Sequence, residues 1–244
     1  MRIALAGPVL GHRDLDRMSR LLLRNGREVE QASDNEQEDD DKKDQARHSG
    51  AFAERVSRCI APRVIEIGKR LDRPIVLVGL MGVGKSTVGR RLARRLGLSF
   101  IDSDAAIEDA VGLSPAEVFE RYGEHDFRDG ERRLVARLIE GDVRVIATGG
   151  GAYVDPRTRE LLNERAITVW LDAPVDILAE RTSRRDTRAQ LRNGDPKETL
   201  ERLANERRTS YEQAHVHVKS GDGAHRDVVE AIVRGIADYL ERQA

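Results

Sequence analysis

Residues 79–86 read Gly79-Leu80-Met81-Gly82-Val83-Gly84-Lys85-Ser86, which matches G-x-x-x-x-G-K-[ST], the phosphate-binding loop. Each part has a physical task. Glycines let the backbone curl until several N–H groups converge on one phosphate. The helix that follows adds the positive end of its dipole. Lys85 has the reach for β- and γ-phosphates, and the Ser86 hydroxyl can ligate Mg²⁺. A glycine-rich turn with a chance lysine is the plain alternative. The flanks argue against it, because an apolar run, Ile75–Val78, enters and an amphipathic helical pattern leaves. The loop alone does not separate a kinase from a GTPase, a motor or a regulatory switch, but no N-K-x-D guanine-reading motif follows it.

Four weaker groups follow in order. Asp102 and Asp104 stand at i and i+2 at the end of a second strand-like run. There Asp102 would lie near a metal, through water, and Asp104 would face an acceptor hydroxyl. The alternative is that the pair merely caps the next helix. In Phe127-Arg128-Asp129-Gly130-Glu131, Arg128 could hold a carboxylate with two parallel N–H groups while Glu131 orients it. Gly149, Gly150 and Gly151 end a third strand-like run; a tight turn needs one or two glycines, and three suggest close approach of a ligand. Finally, Arg181-Thr182-Ser183-Arg184-Arg185-Asp186-Thr187-Arg188 and the polar residues after it read as a lid that brings arginines onto phosphates. Without the phosphate loop, the same run would be an ordinary solvated charge cluster.

The elements that must position these groups are visible from residue 73 onward. Strands are predicted over Ile75–Val78, Ser99–Asp102, 143–147, 167–171 and 216–218. Helical periodicity lies between them: Val88, Leu92 and Leu96 with arginines facing outward, then 131–139 and 176–180, and a last helix carrying Val228, Val229, Ile232, Val233, Ile236 and Leu240. Alternating strands and helices predict an α/β fold, a five-stranded parallel sheet with helices on both faces. The ligands then belong outside the carboxyl ends of the strands.

Residues 1–70 are predicted to be an N-terminal extension and 71–244 the catalytic domain. The extension opens with an arginine-rich stretch with Leu15, Met18, Leu21 and Leu22 at helical spacing. It continues into the charged segment 33–50, which has too little to bury and reads as a disordered linker. In 51–70, Val56, Cys59, Ile60, Val64 and Ile67 share a helical face; a frayed lead-in is favoured over a docked helix. Of the 244 residues, 39% are hydrophobic and 35% charged, and the net charge of −1 carries no basic excess that would point to nucleic acid. No run is long enough to span a bilayer, and the first ten residues lack a signal-peptide pattern. A single cysteine excludes an intramolecular disulfide and fits the cytoplasm.

Taken in order and spacing, these groups resemble the shikimate kinase family. Its members join a G-x-x-G-x-G-K-[ST] loop to a D-x-D, an F-R-x-x-E, a G-G-G, an arginine-bearing lid, and a late arginine shortly before a tyrosine, here Arg207 and Tyr211. The resemblance covers residue 73 to the end. It implies a sheet of the nucleoside-monophosphate-kinase type and transfer of the ATP γ-phosphoryl group to the 3-hydroxyl of shikimate. It implies that Gly82, Val83, Gly84, Lys85, Ser86 and Thr87 bind ATP, with Ser86 and Asp102 on Mg²⁺. Arg188 would be the lid arginine on the phosphates, and Arg181 would lie near the adenine. Asp104, Arg128, Gly149, Gly150, Gly151 and Arg207 would bind shikimate, with Asp104, Lys85 and Arg188 catalytic. A monomer acting on small molecules is expected. One departure stands out: the family's lid reads R-P-L-L and this chain has Arg188-Ala189-Gln190-Leu191, so the proline that would stiffen the lid is missing. Gluconate kinase is the nearest rival, but it should lack the triple glycine combined with F-R-x-x-E. A non-catalytic ATP-binding regulator is disfavoured by the presence of Asp104 and Arg188.

Overall fold

The computed structural model describes residues 67–68, 70–183, 195–221 and 223–243. The arginine-rich stretch, the 33–50 linker, the helical face from Val56 to Val64 and the lid arginine Arg188 lie outside the described residues.

Five strands form one parallel sheet: β1 (Ile75–Val78), β2 (Ser99–Asp102), β3 (Arg144–Ala147), β4 (Ile167–Asp172) and β5 (Val216–Lys219). Their order across the sheet is β2-β3-β1-β4-β5. All four residues of β1 are fully buried, as a strand covered on both faces and flanked by two neighbours must be. Ile75 pairs with Val145 on one side and Ile167 on the other. At the outer position β5 alternates buried and exposed residues instead. The five strands expected from the sequence are all present, with ends that agree within one residue.

Seven helices among the described residues surround the sheet: α1 (Lys85–Leu96), α2 (Ser103–Val111), α3 (Pro115–Leu138), α4 (Pro156–Arg165), α5 (Val175–Ser183), α6 (Pro196–Tyr211) and α7 (His225–Gln243). A 3₁₀ turn, Ala152–Val154, precedes α4. α1 buries Val88, Leu92 and Leu96 as its periodicity requires. At Gly89 it comes so close to the sheet that a Cβ would stand 2.4 Å from the Phe100 ring. α3 starts with a capping box, Ser114 with Glu117, and is broken inside by Gly123 (φ 84°). The helix expected over 131–139 is therefore only the second half of a longer, kinked element. α2 and α3 enclose a small core of their own, Ile107, Val118, Phe127 and Leu134, apart from the main one. Ile67 and Leu71 are buried in the main core, and a Cβ on Gly68 would meet the Leu96 carbonyl at 2.8 Å. Packing thus reaches upstream of the domain boundary expected at residue 70.

The chain leaves β1 for β2 at the edge, returns through β3, and crosses over β1 to β4. The direction of winding reverses around β1, and the loops after β1, β2 and β3 leave the same carboxyl-terminal edge of the sheet, where a doubly wound sheet opens its crevice.

Candidate functional site

The loop after β1 is shaped by three glycines with positive φ: Gly79 (138°), Gly82 (80°) and Gly84 (96°). A side chain at Gly82 would also collide with α5, standing 2.8 Å from Thr182 Cγ2 and 3.2 Å from the Leu178 carbonyl. Gly84 caps α1, so the helix starts at Lys85 with its first amides turned into the loop. Val83 is buried beneath, and its carbonyl accepts from Ser220 Oγ (3.2 Å). Lys85 Nζ lies across the loop, donating to the Gly79 (2.8 Å) and Leu80 (2.9 Å) carbonyls. Thr87 sits half-buried in the first turn of α1.

Asp102 does two things at once. Its Oδ1 accepts from the Asp104 amide (3.0 Å) and caps α2, while its Oδ2 accepts from Ser86 Oγ at 2.5 Å. The capping role and the metal-side role weighed from the sequence are therefore compatible. A hydroxyl and a carboxylate side by side at the end of a phosphate loop are hard oxygen donors, the chemistry that suits Mg²⁺. Between the two aspartates, Ser103 is fully buried and accepts from the Gly149 amide at 3.1 Å. It ties the D-x-D turn to the glycine loop. Its signal in the sequence was faint: a serine between two aspartates at a strand end.

None of the three glycines after β3 has positive φ. What they provide is space, each for a different side chain. A Cβ on Gly149 would stand 2.7 Å from Asp104 Oδ1 and 3.0 Å from Glu131 Oε1. On Gly150 it would stand 3.4 Å from Arg207 Nη1, 3.4 Å from the Gly79 carbonyl and 3.6 Å from the Met81 amide nitrogen. On Gly151 it would lie inside the Arg128 guanidinium, 2.5 to 2.8 Å from its atoms. The triple glycine is the place where Asp104, Arg128, Arg207 and the phosphate loop meet. Among the described residues the Gly150 and Gly151 amides have no hydrogen-bond acceptor.

Arg128 Nη1 donates to Glu131 Oε2 at 2.6 Å, and Glu131 is 4% exposed. Burial pushes the Glu131 carboxyl up to about 7; Arg128 opposes that rise, and Asp104 and Asp155 add to it. The F-R-x-x-E spacing places both residues on one face of α3, one turn apart. From α6, Arg207 Nη1 donates to the Gly150 carbonyl (3.0 Å), which also accepts from the Tyr211 hydroxyl (2.5 Å). Arg181 lies elsewhere: its Nη2 donates to the Gly221 carbonyl (2.9 Å), next to the Ser220 that touches the phosphate loop.

Two half-sites thus face each other across Gly150. One is a cradle of amides with a lysine and a hydroxyl–carboxylate pair, fit for a nucleotide's phosphates. The other holds Asp104, the Arg128–Glu131 pair, Arg207 and two amides without an acceptor among the described residues, fit for a small acid bearing hydroxyls.

A family model described as shikimate kinase matches residues 81–237. A shikimate kinase of Novosphingobium aromaticivorans is 50% identical over 178 residues, 71% of this chain and 92% of that protein. One of Caulobacter vibrioides is 53% identical over 164 residues, 67% and 82% of the two chains. Among solved structures, the shikimate kinase from Acinetobacter baumannii in complex with shikimate superposes with a TM-score of 0.65 at 39% identity, covering 68% of this chain and 93% of that one.

Proposed function

The chain belongs to the shikimate kinase family, and we propose that it transfers the γ-phosphoryl group of ATP to the 3-hydroxyl of shikimate, giving shikimate 3-phosphate and ADP, a step toward chorismate and the aromatic amino acids. The observation that carries this reading is the glycine loop. Three consecutive residues lack side chains because Asp104, Arg128 and Arg207 each come within contact distance of one of them, beside the phosphate loop. Those are the groups that a carboxylate with vicinal hydroxyls requires.

ATP lies with its phosphates over Gly82, Val83, Gly84, Ser86 and Thr87. Lys85 exchanges the Gly79 and Leu80 carbonyls for β- and γ-phosphate oxygens and offsets charge that grows there during transfer. Ser86 and Asp102 would hold Mg²⁺, which would supply positive charge to offset the negative charge of the phosphates. Arg181 supports the nucleotide's base side, beside Ser220 and Gly221. Arg188, on the lid, is assigned to the phosphates from sequence.

Arg128 and Arg207 take the shikimate carboxylate together with the Gly150 and Gly151 amides, and Gly149 leaves room for the ring beside Asp104. Asp104 accepts from the 3-hydroxyl and aligns its oxygen with the γ-phosphorus. The oxygen–phosphorus bond forms as the bond to the β,γ-bridging oxygen breaks. In a loose transition state the hydroxyl proton leaves late, so alignment is the aspartate's larger contribution.

The reading keeps the expectation of a monomer, and the supply of ATP favours the cytoplasm as its place of work. Among the described residues no helix is long and apolar enough to cross a membrane. The test is ADP release measured with shikimate, with gluconate and with no acceptor. Shikimate alone should stimulate it; stimulation by gluconate alone, or by neither, overturns the reading.

A further inference from the structure

The glycine loop has no side chains between residues 149 and 151 with which to hold its own shape, yet its amides must be aimed. The structure shows what aims them. The Gly150 carbonyl has two lone pairs, and both are taken from α6: Arg207 Nη1 at 3.0 Å and the Tyr211 hydroxyl at 2.5 Å. Three residues further on, Arg159 of α4 donates through Nη1 to the carbonyls of Tyr153 (3.2 Å) and Val154 (2.9 Å) and to Ser210 Oγ (3.3 Å). Its Nε donates to Gln213 Oε1 (3.1 Å). The Tyr153 ring stacks on the Tyr211 ring, with centroids 6.4 Å apart and planes 8° from parallel. The loop is therefore tied to the last turn of α6 at two points, one before and one after its turn.

We infer that Tyr211 and Arg159 are positioning residues for the acceptor site. Together they staple the glycine loop to α6, so that the Gly151 amide and the Arg207 guanidinium face the substrate carboxylate as one preformed unit. The inference rests on the proposed reading of that site. The peptide unit is planar and trans, so its carbonyl and N–H point in opposite directions. Holding the Gly150 carbonyl against α6 turns the Gly151 N–H away from α6, toward the crevice. A carboxylate arriving at Arg207 competes with the Gly150 carbonyl for that guanidinium. Tyr211 then keeps the carbonyl engaged, and the loop does not turn when Arg207 is drawn off. Tyr211 suits the task because it is 2% exposed and burial raises its phenol, so the hydroxyl remains a donor across the working pH range. Arg159 supplies the second tie because a planar guanidinium can reach two consecutive carbonyls and a second helix together.

The experiment compares wild type with Tyr211→Phe, Arg159→Gln, Arg159→Lys and the Tyr211→Phe/Arg159→Gln double variant. It measures kcat, both KM values and the melting temperature. Tyr211→Phe removes one oxygen and keeps the stacked ring, so it should raise the shikimate KM about 5- to 10-fold, the effect of one hydrogen bond lost at a buried group. The ATP KM should stay within about two-fold of wild type, because the nucleotide half of the site is untouched. Arg159→Gln should do the same, and Arg159→Lys should restore part of the loss through a single donor. In the double variant the shikimate effect should fall short of the product of the singles, since both ties hold one loop. A merely structural role predicts instead a lower melting temperature with both KM values rising in parallel, and that outcome overturns the inference. So does a shikimate KM within two-fold of wild type in both Tyr211→Phe and Arg159→Gln. If Arg159→Gln does not fold, Tyr211→Phe decides the matter alone. Wild type without shikimate turnover overturns the proposed function itself; active wild type with unaffected variants overturns only the staple.

Discussion

Glu131→Gln should make the protein more stable and a poorer enzyme. Glu131 is 4% exposed, and its carboxyl rises from an ordinary 4.5 to about 7, with burial the main cause. Arg128, 2.6 Å away, opposes the rise, and Asp104 and Asp155 add to it. A folded-state value above the unfolded one means that ionisation costs stability. The cost is absent below pH 4.5, accumulates between 4.5 and 7, and is complete above 7. At about 1.4 kcal/mol per pH unit it reaches about 3.5 kcal/mol, an upper figure for a group that still has a partner. Glutamine has the shape of the protonated acid and never ionises. Urea unfolding at pH 8 should therefore show the variant more stable by up to about 3.5 kcal/mol, and at pH 5 the gain should shrink to about 1 kcal/mol or less. Activity should move the other way. Arg128 loses the charged acceptor that fixes its plane, so the shikimate KM should rise about ten-fold or more while the ATP KM stays near wild type. A variant less stable than wild type at pH 8 would mean that the Arg128 pairing outweighs the burial of the charge, and would refute the reasoning.

Four other outcomes are expected. Asp104→Asn should keep ATP affinity, measured by titration, and lose about two orders of magnitude in kcat with shikimate; if Asp102→Asn is the one that abolishes turnover while Asp104→Asn does not, the two carboxylates have been assigned the wrong way round. Arg128→Lys should raise the shikimate KM far more than the ATP KM, because a point charge cannot replace a planar fork; equal effects in steady-state kinetics would remove Arg128 from the carboxylate site. Gly149→Ala places a methyl group 2.7 Å from Asp104 Oδ1 and 3.0 Å from Glu131 Oε1, and should reduce kcat/KM for shikimate at least ten-fold with ATP binding intact; wild-type kinetics would show that these oxygens give way. Arg188→Ala should lower kcat, by up to about 10³-fold if the lid arginine acts in the transition state, and unchanged ADP release would mean that 188–191 is not the catalytic lid.

The strands were readable because each carries β-branched or aromatic residues in a short run between helical patterns, and the central one, Ile75–Val78, has no polar residue to confuse its limits. The break in α3 was not readable. Gly123 lies in a polar stretch where a glycine is tolerated in a helix at about 1 kcal/mol, so the residue type alone does not distinguish a kink from a weak spot. The small core of Ile107, Val118, Phe127 and Leu134 was missed for a related reason. Its four residues come from two helices that pack on each other, and periodicity within one helix does not show which other helix it meets.

In the site the division follows the number of chemical tasks a residue type can perform. Lys85, Asp102, Asp104, Arg128, Glu131 and the three glycines stood out because phosphate and carboxylate recognition admits few substitutes, and the structure brings all but the phosphate-side groups to the edges of one loop. Ser103, Arg159 and Tyr211 did not acquire a role from the sequence. A serine, an arginine in an arginine-rich chain and a tyrosine have many uses, and what selects one is a partner distant in sequence: Ser103 with Gly149, Arg159 with Ser210, Tyr211 with Gly150. The Asp102 case shows the same limit from the other side. Cap or metal-side ligand was posed as a choice, yet a carboxylate has two oxygens, and here one caps α2 while the other takes Ser86. Residue type restricts which bonds can form; the fold decides how many of them one side chain makes at once. For that reason the groups proposed to touch substrate are easier to find from sequence than the groups proposed to aim them.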